Sequence, residues 1–204
     1  MFEFGNLRFR PVEKEDLKLL HEWENDFELI MYSRSNPMSF VNMAQLEKKY
    51  EEWVKEEKHY HFIVEMGEER DAIGIARIRL EEWGRVKTGE IGTYIGKKEL
   101  WGKGVGRRIT AALLEMAFNQ LNVDRCEAWS VEYNDRAHKA LEACGFQKGG
   151  IMRNAVYVNG RKWNGLHFDI LRDEFQNLRS NLLTQMLGEE KAVYLKKHCT
   201  IHGD

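Results

Sequence analysis

The glycine-rich run at residues 101–108 has the clearest chemistry in this sequence. It reads Trp-Gly-Lys-Gly-Val-Gly-Arg-Arg and lies between a strand-like segment at 90–95 and a helix-like segment at 109–119. Glycine lets the backbone approach a ligand closely, and the first amides of a helix have no acceptor within that helix. These amides, the helix dipole and the charges of Arg107 and Arg108 all favour an anion. The run therefore predicts a cradle for a phosphate or pyrophosphate.

Two familiar phosphate-binding motifs do not fit this run. A P-loop places a lysine and a hydroxyl residue after its last glycine, but Arg107 and Arg108 follow Gly106 here. A dinucleotide fingerprint has the spacing G-x-G-x-x-G after the first strand of a βαβ unit. This sequence has the spacing G-x-G-x-G, and several strand-like segments precede it. Nucleotide hydrolysis and dinucleotide binding are therefore disfavoured.

A second motif follows the glycine-rich run. Asn134 stands 28 residues after Gly106 and begins the segment Asn-Asp-Arg-Ala-His-Lys-Ala-Leu-Glu-Ala-Cys-Gly-Phe. Together the run and this segment resemble the coenzyme A loop and the N-x-R-A-x-x-L-Y-x-x-x-G-F motif of the GNAT N-acetyltransferase superfamily. Two positions depart from the family pattern. Trp101 replaces the usual arginine or glutamine, and Leu141 replaces a tyrosine.

The resemblance is closer to one branch, which contains ribosomal-protein N-terminal (alanine) acetyltransferases and spermidine or diamine acetyltransferases. The sequence segments that carry this closer resemblance are residues 7–11, 15–17, 150–153, 159–161 and 170–175. It implies an acetyl-CoA-dependent enzyme that acetylates a primary amine by direct attack in a ternary complex. The amine is expected on a protein N-terminus, a polyamine or another small molecule. A non-catalytic acyl-CoA sensor or scaffold with the same fold is the alternative.

The resemblance also implies where coenzyme A is held. The end of the strand before the cradle is expected to bind the pantetheine arm as an added strand would, and Asn134 to touch the same arm. The Trp101 side chain is expected to pack beneath the loop rather than to cover the adenine, and no metal is implied. The predicted coenzyme-binding residues are Tyr94, Ile95, Gly96, Trp101, Gly102, Lys103, Gly104, Val105, Gly106, Arg107, Asn134, Arg136 and Lys139.

Glu90 is the predicted general base. Acetyl transfer needs a neutral amine, a polarised thioester carbonyl and a proton for the departing thiolate. Glu90 alternates out of phase with Ile91 on a predicted strand, and many relatives carry an acid at this position, where it acts through water. An exposed or ion-paired strand glutamate is the competing interpretation.

The general acid is not identified by the sequence. Leu141 stands where the family pattern has a tyrosine that protonates the thiolate. Tyr133 is expected to face away from Asn134 if the segment is extended, and Cys144 lies one helical turn beyond Leu141. Water or the substrate ammonium is the remaining source of the proton.

The acceptor site is expected between the loop that joins the first two helices and the last hairpin. Spermidine acetyltransferases tend to place paired glutamates before the proline that corresponds to Pro37, where this sequence has Ser35 and Asn36. A polyamine acceptor is therefore in doubt, because a polycation needs carboxylates. A protein N-terminus is the leading alternative, and an amino acid or aminosugar remains open. The predicted substrate-binding residues are Tyr32, Arg34, Glu90 and Tyr157.

Composition narrows the class of protein. The 204 residues are 43% hydrophobic, which suffices for one folded domain at residues 1–175 with a helical extension at 176–204. The net charge of −2 gives no basic surface for nucleic acid. No apolar run approaches the roughly 20 residues that span a membrane, and no signal peptide is evident, so a cytoplasmic protein is expected. Three widely spaced cysteines do not indicate disulfides.

The hydrophobic pattern predicts the scaffold that positions these residues. It predicts a mixed sheet of about seven strands that includes an antiparallel meander. The resemblance implies that this sheet belongs to an α/β (α+β) GNAT fold with helices on both faces. Asn159 and Gly160 suit a type I′ turn between the last two strands, and Gly145 suits the end of a helix. The tail after residue 175 is predicted to be helical, and it either caps the domain or mediates a homodimer.

Overall fold

The computed structural model describes residues 1–33 and 39–198. Within these residues, eight strands form one mixed sheet in the order β1-β2-β3-β4-β5-β6-β8-β7. Only β5 and β6 pair in parallel, and the other neighbours are antiparallel. The strands are β1 Phe2–Phe4, β2 Leu7–Pro11, β3 His59–Met66, β4 Asp71–Trp83, β5 Val86–Ile95, β6 Arg125–Val131, β7 Gln147–Val158 and β8 Arg161–Leu171.

The predicted mixed sheet is confirmed, with one strand more than expected. The additional strand is β1, which forms a short hairpin with β2 through the pair Phe4 and Leu7. Three residues carry too little periodicity to be recognised alone, and β1 depends on its partner strand. Asn159 and Gly160 have positive φ angles of 51° and 75°, which a type I′ turn requires.

The helices cover both faces of the sheet. They are α1 Leu17–Glu24, α2 Phe27–Ser33, α3 Met43–Lys55, α4 Val105–Glu115, α5 Asp135–Glu142, α6 Arg172–Leu187 and α7 Lys191–His198. The helix-like segment at 109–119 begins earlier than predicted, at Val105, because the preceding Gly104 has the left-handed φ of 78° that starts α4. A single π-helical turn, Met116–Gln120, follows α4. Of the helices in the described ranges, none is long and apolar enough to cross a membrane.

One face of the sheet packs against α4 and the other against α1, α2 and α3. Ile78, Ile91 and Phe168 are buried on the α4 side, in one cluster with Ile109 and Leu113 of that helix. On the opposite side a smaller cluster combines buried residues of the helices with residues of the sheet; its buried members are Val12, Leu17, Leu20, Trp23, Leu29, Leu46, Ile63 and Ile75.

A row of charged side chains crosses the sheet on the face opposite α4. Strand register aligns Arg79 with Glu90, Glu90 with Glu127, and Glu127 with Asp169. Residues opposite one another in paired strands project to the same face. Arg125 adds to the row by contacting both Glu127, at 3.1 Å, and Asp169, at 3.0 Å.

The C-terminal helices pack on the domain itself. Phe175, Leu182, Leu183, Leu187 and Tyr194 are buried in the same cluster as α4. The predicted boundary between the domain and its C-terminal extension, at residue 175, falls within α6. This boundary stays a prediction.

A buried polar contact fastens this tail to α4. Glu115 is only 2% exposed. Arg179 of α6 donates two hydrogen bonds to its carboxylate, at 2.7 and 2.9 Å, and the Tyr194 hydroxyl donates a third at 3.0 Å. A buried carboxylate needs such partners, because its charge is costly to remove from water.

Replacing Arg179 tests this contact. The substitution Arg179→Met leaves the Glu115 carboxylate buried without its cation, and we expect the free energy of unfolding to fall by about 3 kcal/mol. Urea denaturation followed by circular dichroism measures the change. The double variant Glu115→Leu/Arg179→Met should recover most of the loss, since it removes the buried charge as well. A single variant as stable as the parent would show that the pair does not fasten the tail.

Candidate active site

The site begins where β5 and β6 separate. Their parallel pairing covers only Thr88 to Glu90 on β5 and Arg125 to Glu127 on β6. Beyond Glu90, β5 stays paired with β4 as far as Ile95, and β6 stays paired with β8 as far as Val131. The two facing edges therefore diverge and leave a gap in the sheet, bordered by backbone groups of residues 91–95 that β6 does not pair.

A cleft of about 530 Å³ occupies this gap and continues to the glycine-rich loop. Its walls come from the end of β5, the loop and start of α4, the middle of β6, and α5. It is lined by one predicted substrate-binding residue, Tyr32, and by these predicted coenzyme-binding residues: Tyr94, Ile95, Trp101, Gly102, Gly104, Val105, Gly106, Arg107, Asn134, Arg136 and Lys139. The structure thus brings most of the predicted coenzyme-binding residues to one cavity.

The glycine-rich loop has the geometry of an anion cradle. Gly102 and Gly104 have φ angles of 74° and 78°. A side chain at either position would meet nothing within 4 Å, so the space in front of the loop is open to a ligand. Gly104 precedes α4, and helix geometry leaves the amides of Val105, Gly106 and Arg107 without acceptors inside the helix. These amides are available to a phosphate group.

The side chains of Arg107 and Arg108, which were predicted to contact the anion, form hydrogen bonds with protein groups. Arg107 donates to the Ala143 carbonyl at 3.3 Å and to the Gln185 side chain of α6. Arg108 donates to Asn6 at 2.6 Å, and burial lowers the pKa of its guanidinium. The expectation that both arginines direct full charges at the anion was wrong for Arg108, which faces the N-terminal hairpin. The backbone amides and the helix dipole therefore carry the cradle.

The turn between β6 and α5 holds the end of α2. Asn134 accepts a hydrogen bond from the Ala137 amide at 3.2 Å, which caps α5, and donates to the Tyr32 carbonyl at 3.0 Å. The Tyr133 hydroxyl donates to the Met31 carbonyl at 2.7 Å. The prediction that Tyr133 faces away from Asn134 assumed an extended segment, but the segment is a turn, so both side chains reach α2.

Arg136 lies over two aromatic rings at the edge of the cleft. Its guanidinium carbon is 4.1 Å from the centre of the Trp101 ring and 4.5 Å from that of Tyr32. The Trp101 indole donates to the Ile95 carbonyl at 2.8 Å and so ties the loop to the end of β5. Cation–π contacts of this kind fix the guanidinium without neutralising it. Trp101 thus connects the glycine-rich loop to the end of β5, and Arg136 packs over its ring.

Some predicted residues lie outside the cleft. Gly96 and Lys103 are not among its lining residues. The Gly96 amide donates to the Ile73 carbonyl at 2.9 Å, and a Cβ at Gly96 would come within 2.1 Å of Trp23, so close packing explains this glycine. Tyr157 is 65% exposed on β7, away from the lining residues. Arg34 lies outside the described residues.

Glu90 is the last residue of β5 that pairs with β6, at the apex of the gap. Its carboxylate accepts a hydrogen bond from Arg77 at 2.9 Å and another from Arg79. Its side chain is 19% exposed, on the face opposite α4, and it does not line the cleft itself. Glu90 is therefore an ion-paired strand residue. Its position in β5 is next to the gap between β5 and β6.

The cleft offers no side-chain acid at the family's tyrosine position. Leu141 lines the cavity there. Cys144 is fully buried, its thiol contacts the Arg107 carbonyl at 3.4 Å, and burial raises its pKa to about 12. Burial also raises the pKa of Tyr133. Cys144 therefore has no access to a reacting group, and Tyr133 is not among the residues that line the cleft.

Trp129 lines the cleft and was not predicted from the sequence. It lies on the same face as Glu127 and packs on Gly165 of β8, where a Cβ would come within 2.4 Å of its indole nitrogen. Its neighbour Ala128 lines the α4 side of the same gap. The alternation of side chains along β6 predicts that Trp129 and Ala128 lie on opposite faces of the sheet. They line a cavity because β5 and β6 separate beside them.

Comparison with known proteins agrees with this geometry. The family model for an acetyltransferase (GNAT) domain matches residues 6–147. An uncharacterized N-acetyltransferase, p20, of Bacillus licheniformis is 28% identical over 172 residues, covering 83% of this chain and 94% of that protein. The spermidine N(1)-acetyltransferase of Escherichia coli K12 is 23% identical over 171 residues, covering 83% of this chain and 88% of that protein.

The fold has solved counterparts. The crystal structure of spermidine N-acetyltransferase from Vibrio cholerae in complex with CoA and spermine superposes with a TM-score of 0.75. The two sequences are 24% identical, and the match covers 84% of this chain and 99% of that one. At this identity the likeness establishes the fold.

Replacing Gly104 tests the cradle. Alanine is strained at a φ of 78°, and its methyl group would project into the space where the ligand approaches. We expect Gly104→Ala to weaken coenzyme A binding about tenfold, as measured by calorimetric titration. Gly84→Ala is the matched control, since Gly84 has a φ of 55°, open surroundings and a place in the β4–β5 turn. Equal coenzyme affinity in the two variants would contradict the cradle.

Proposed function

Because this chain belongs to the GNAT acetyltransferase family, whose members use acetyl-CoA, we propose that it acetylates a primary amine by direct attack in a ternary complex. The observation that carries this proposal is the separation of β5 from β6 beyond Glu90. It gives one cavity with an anion cradle at one end and an opening through the sheet at the other. A thioester bound from one side can meet an amine that enters from the other.

The cosubstrate fits the cleft in one direction. The pyrophosphate belongs on the amides at the start of α4, and the pantetheine amides belong beside the unpaired edge at residues 91–95, where they replace the missing strand. Tyr94, Ile95 and Lys139 line this path, and Arg136 stands at its rim. The acetyl group then lies near the apex of the gap, next to Ile91 and Ala128.

The reaction joins the amine nitrogen to the acetyl carbon and breaks the carbon–sulfur bond. A backbone amide of β5 stabilises the negative charge that develops on the carbonyl oxygen. Glu90 accepts the proton of the incoming ammonium through a water molecule, and its ion pairs with Arg77 and Arg79 orient the carboxylate. The thiolate takes its proton from water or from the attacking nitrogen, since Leu141 supplies none.

We propose a monocationic acceptor, a protein N-terminus or a small monoamine. The carboxylates on the face opposite α4 already contact basic side chains. Glu90 pairs with two arginines, and Glu127 and Asp169 share Arg125, with His167 3.3 Å from Glu127. A polycation would have to compete with these partners for each carboxylate. The aromatic side chains of Tyr32 and Trp129, by contrast, are open to the cleft.

A polyamine is the second candidate acceptor. It is favoured by the likeness to the E. coli spermidine N(1)-acetyltransferase over 83% of this chain. The segment at residues 34–38, where the sequence departs from the paired glutamates of such enzymes, lies outside the described residues. Residues 22–28 carry four further acidic side chains, Glu22, Glu24, Asp26 and Glu28. Glu24 is buried and pairs with Lys49, and Asp26 and Glu28 both pair with Lys98, so a polycation would have to displace these lysines as well.

An acceptor panel tests the proposal. Thiol release from acetyl-CoA is measured with short peptides of different N-termini, amino acids, aminosugars, putrescine and spermidine, alongside calorimetric titration of acetyl-CoA. We expect turnover with a peptide or monoamine at a kcat/KM at least tenfold above that for spermidine. The opposite ranking would favour the polyamine. Binding of acetyl-CoA with no turnover on any amine would favour the sensor, and an absence of binding would overturn the coenzyme site.

The role of Glu90 is tested by comparison with Glu81, which also pairs with Arg79 but lies farther along β4 and is half exposed. We expect Glu90→Gln to lower kcat about 100-fold while the Kd for acetyl-CoA stays unchanged, because a general base contributes at this level. Glu81→Gln should stay within twofold of the parent in both quantities. If Glu90→Gln lowers thermal stability but retains kcat, the residue is an ion-pair element and not a base.

A further inference from the structure

Three metal-ligating side chains lie together at the junction of α3 and β3. Suitable ligand atoms of Glu56, His59 and His61 all lie within 4.8 Å of one another. We propose that these three residues form a binding site for a divalent transition-metal ion such as Zn²⁺. The site does not depend on the proposed acetyl transfer, because none of the three lines the cleft.

The local fold brings these residues together. Glu56 follows the last residue of α3 and ends the helix, so its side chain is close to the start of β3. His59 is the first residue of β3, and His61 stands two residues later. Side chains two apart on a strand project to the same face, so both imidazoles point to the side on which α3 packs.

The His61 imidazole is suited to bind a metal. It stacks on Trp53, with ring centres 4.2 Å apart and an interplanar angle of 17°, which fixes the plane of the ring. Its Nε2 atom is buried without a hydrogen-bond partner among the described residues. Histidine is a common protein ligand of such ions and coordinates them through either ring nitrogen.

The charges around the site are balanced. Arg77 stands opposite His61 in the pairing of β3 with β4, and Lys49 lies over the Trp53 ring on which His61 stacks. Arg77 is paired with Glu90 at 2.9 Å, and Lys49 with Glu24 at 3.1 Å, which reduces their repulsion of a metal ion. Glu56 contributes a carboxylate, and its Oε2 atom lies 2.5 Å from Nδ1 of His59. A metal ion that binds both groups would replace this contact.

The dimensions suit a small ion. Three atoms within 4.8 Å of one another have a common point no more than about 2.8 Å from each, against roughly 2.0–2.2 Å in zinc sites. His59 and Glu56 have 30% and 41% of their side chains exposed, so they are free to close the difference. Two histidines and a carboxylate leave one position of a tetrahedral ion for water. A bound ion would fasten the end of α3 to β3.

Cobalt spectroscopy tests the site. His198, Cys199 and His202 are first replaced by serine, since the C-terminus carries other metal-binding side chains. We expect this protein to bind one equivalent of Co²⁺ with the visible absorption of a tetrahedral site, and Zn²⁺ to abolish that absorption by displacement. His59→Gln and Glu56→Gln should weaken Co²⁺ binding at least tenfold, whereas the control His21→Gln on α1 should retain it. Unchanged binding in His59→Gln and Glu56→Gln would overturn the proposal.

Thermal denaturation gives a second readout that needs no spectroscopic signal. A free Zn²⁺ concentration about a hundredfold above Kd should raise the Tm by roughly 5–10 °C. This shift should fall by half or more in His59→Gln, whose side chain is partly exposed, and should persist in His21→Gln. His61→Gln is the less decisive variant, because it also disturbs the stacking on Trp53. An equal shift in the His59 and His21 variants would show that the ion binds elsewhere.

Discussion

The parallel pairing between β5 and β6 ends after three residues, and the rest of the site depends on that limit. A sheet satisfies its backbone groups by pairing strands, so two strands that diverge leave both edges open to another partner. In this protein the open edge of β5 leads directly into the glycine-rich loop. The same feature therefore supplies a surface for an extended ligand, a cavity between two layers of helices, and a passage from one face of the sheet to the other.

The helix α4 links this gap to the rest of the molecule. Its first amides form the cradle, its middle packs on the sheet, and its last residue, Glu115, is held by α6 and α7. The Arg107 side chain contacts α6, and that of Arg108 contacts the N-terminal hairpin. The cradle is thus positioned by contacts with both ends of the chain, and its anion-binding power comes from backbone groups whose direction those contacts fix.

Local signals in the sequence predicted the parts of the structure that depend on few residues. Gly145, with a φ of 91°, ends α5, and Asn159 and Gly160 form the last turn, since each requires a backbone conformation that few residues adopt. The motif spacing likewise predicted the cradle and the side of the cleft to which Asn134 belongs. Contacts between distant segments were not predictable in this way. The partners of Arg107, the turn at Tyr133 and the exposure of Trp129 to the cleft depend on how α2, α6 and β8 pack.

The pairing of Glu115 with Arg179 also sets an order of events during synthesis. The two residues are 64 positions apart, so the carboxylate is made well before its arginine. At about 5–20 residues per second, the ribosome adds Arg179 roughly 3–13 s after Glu115. Until then the Glu115 carboxylate lacks the partners that α6 and α7 supply in the complete fold. All eight strands precede Arg179 in the chain, so the contacts of α6 and α7 with α4 form only after the whole sheet has been synthesised.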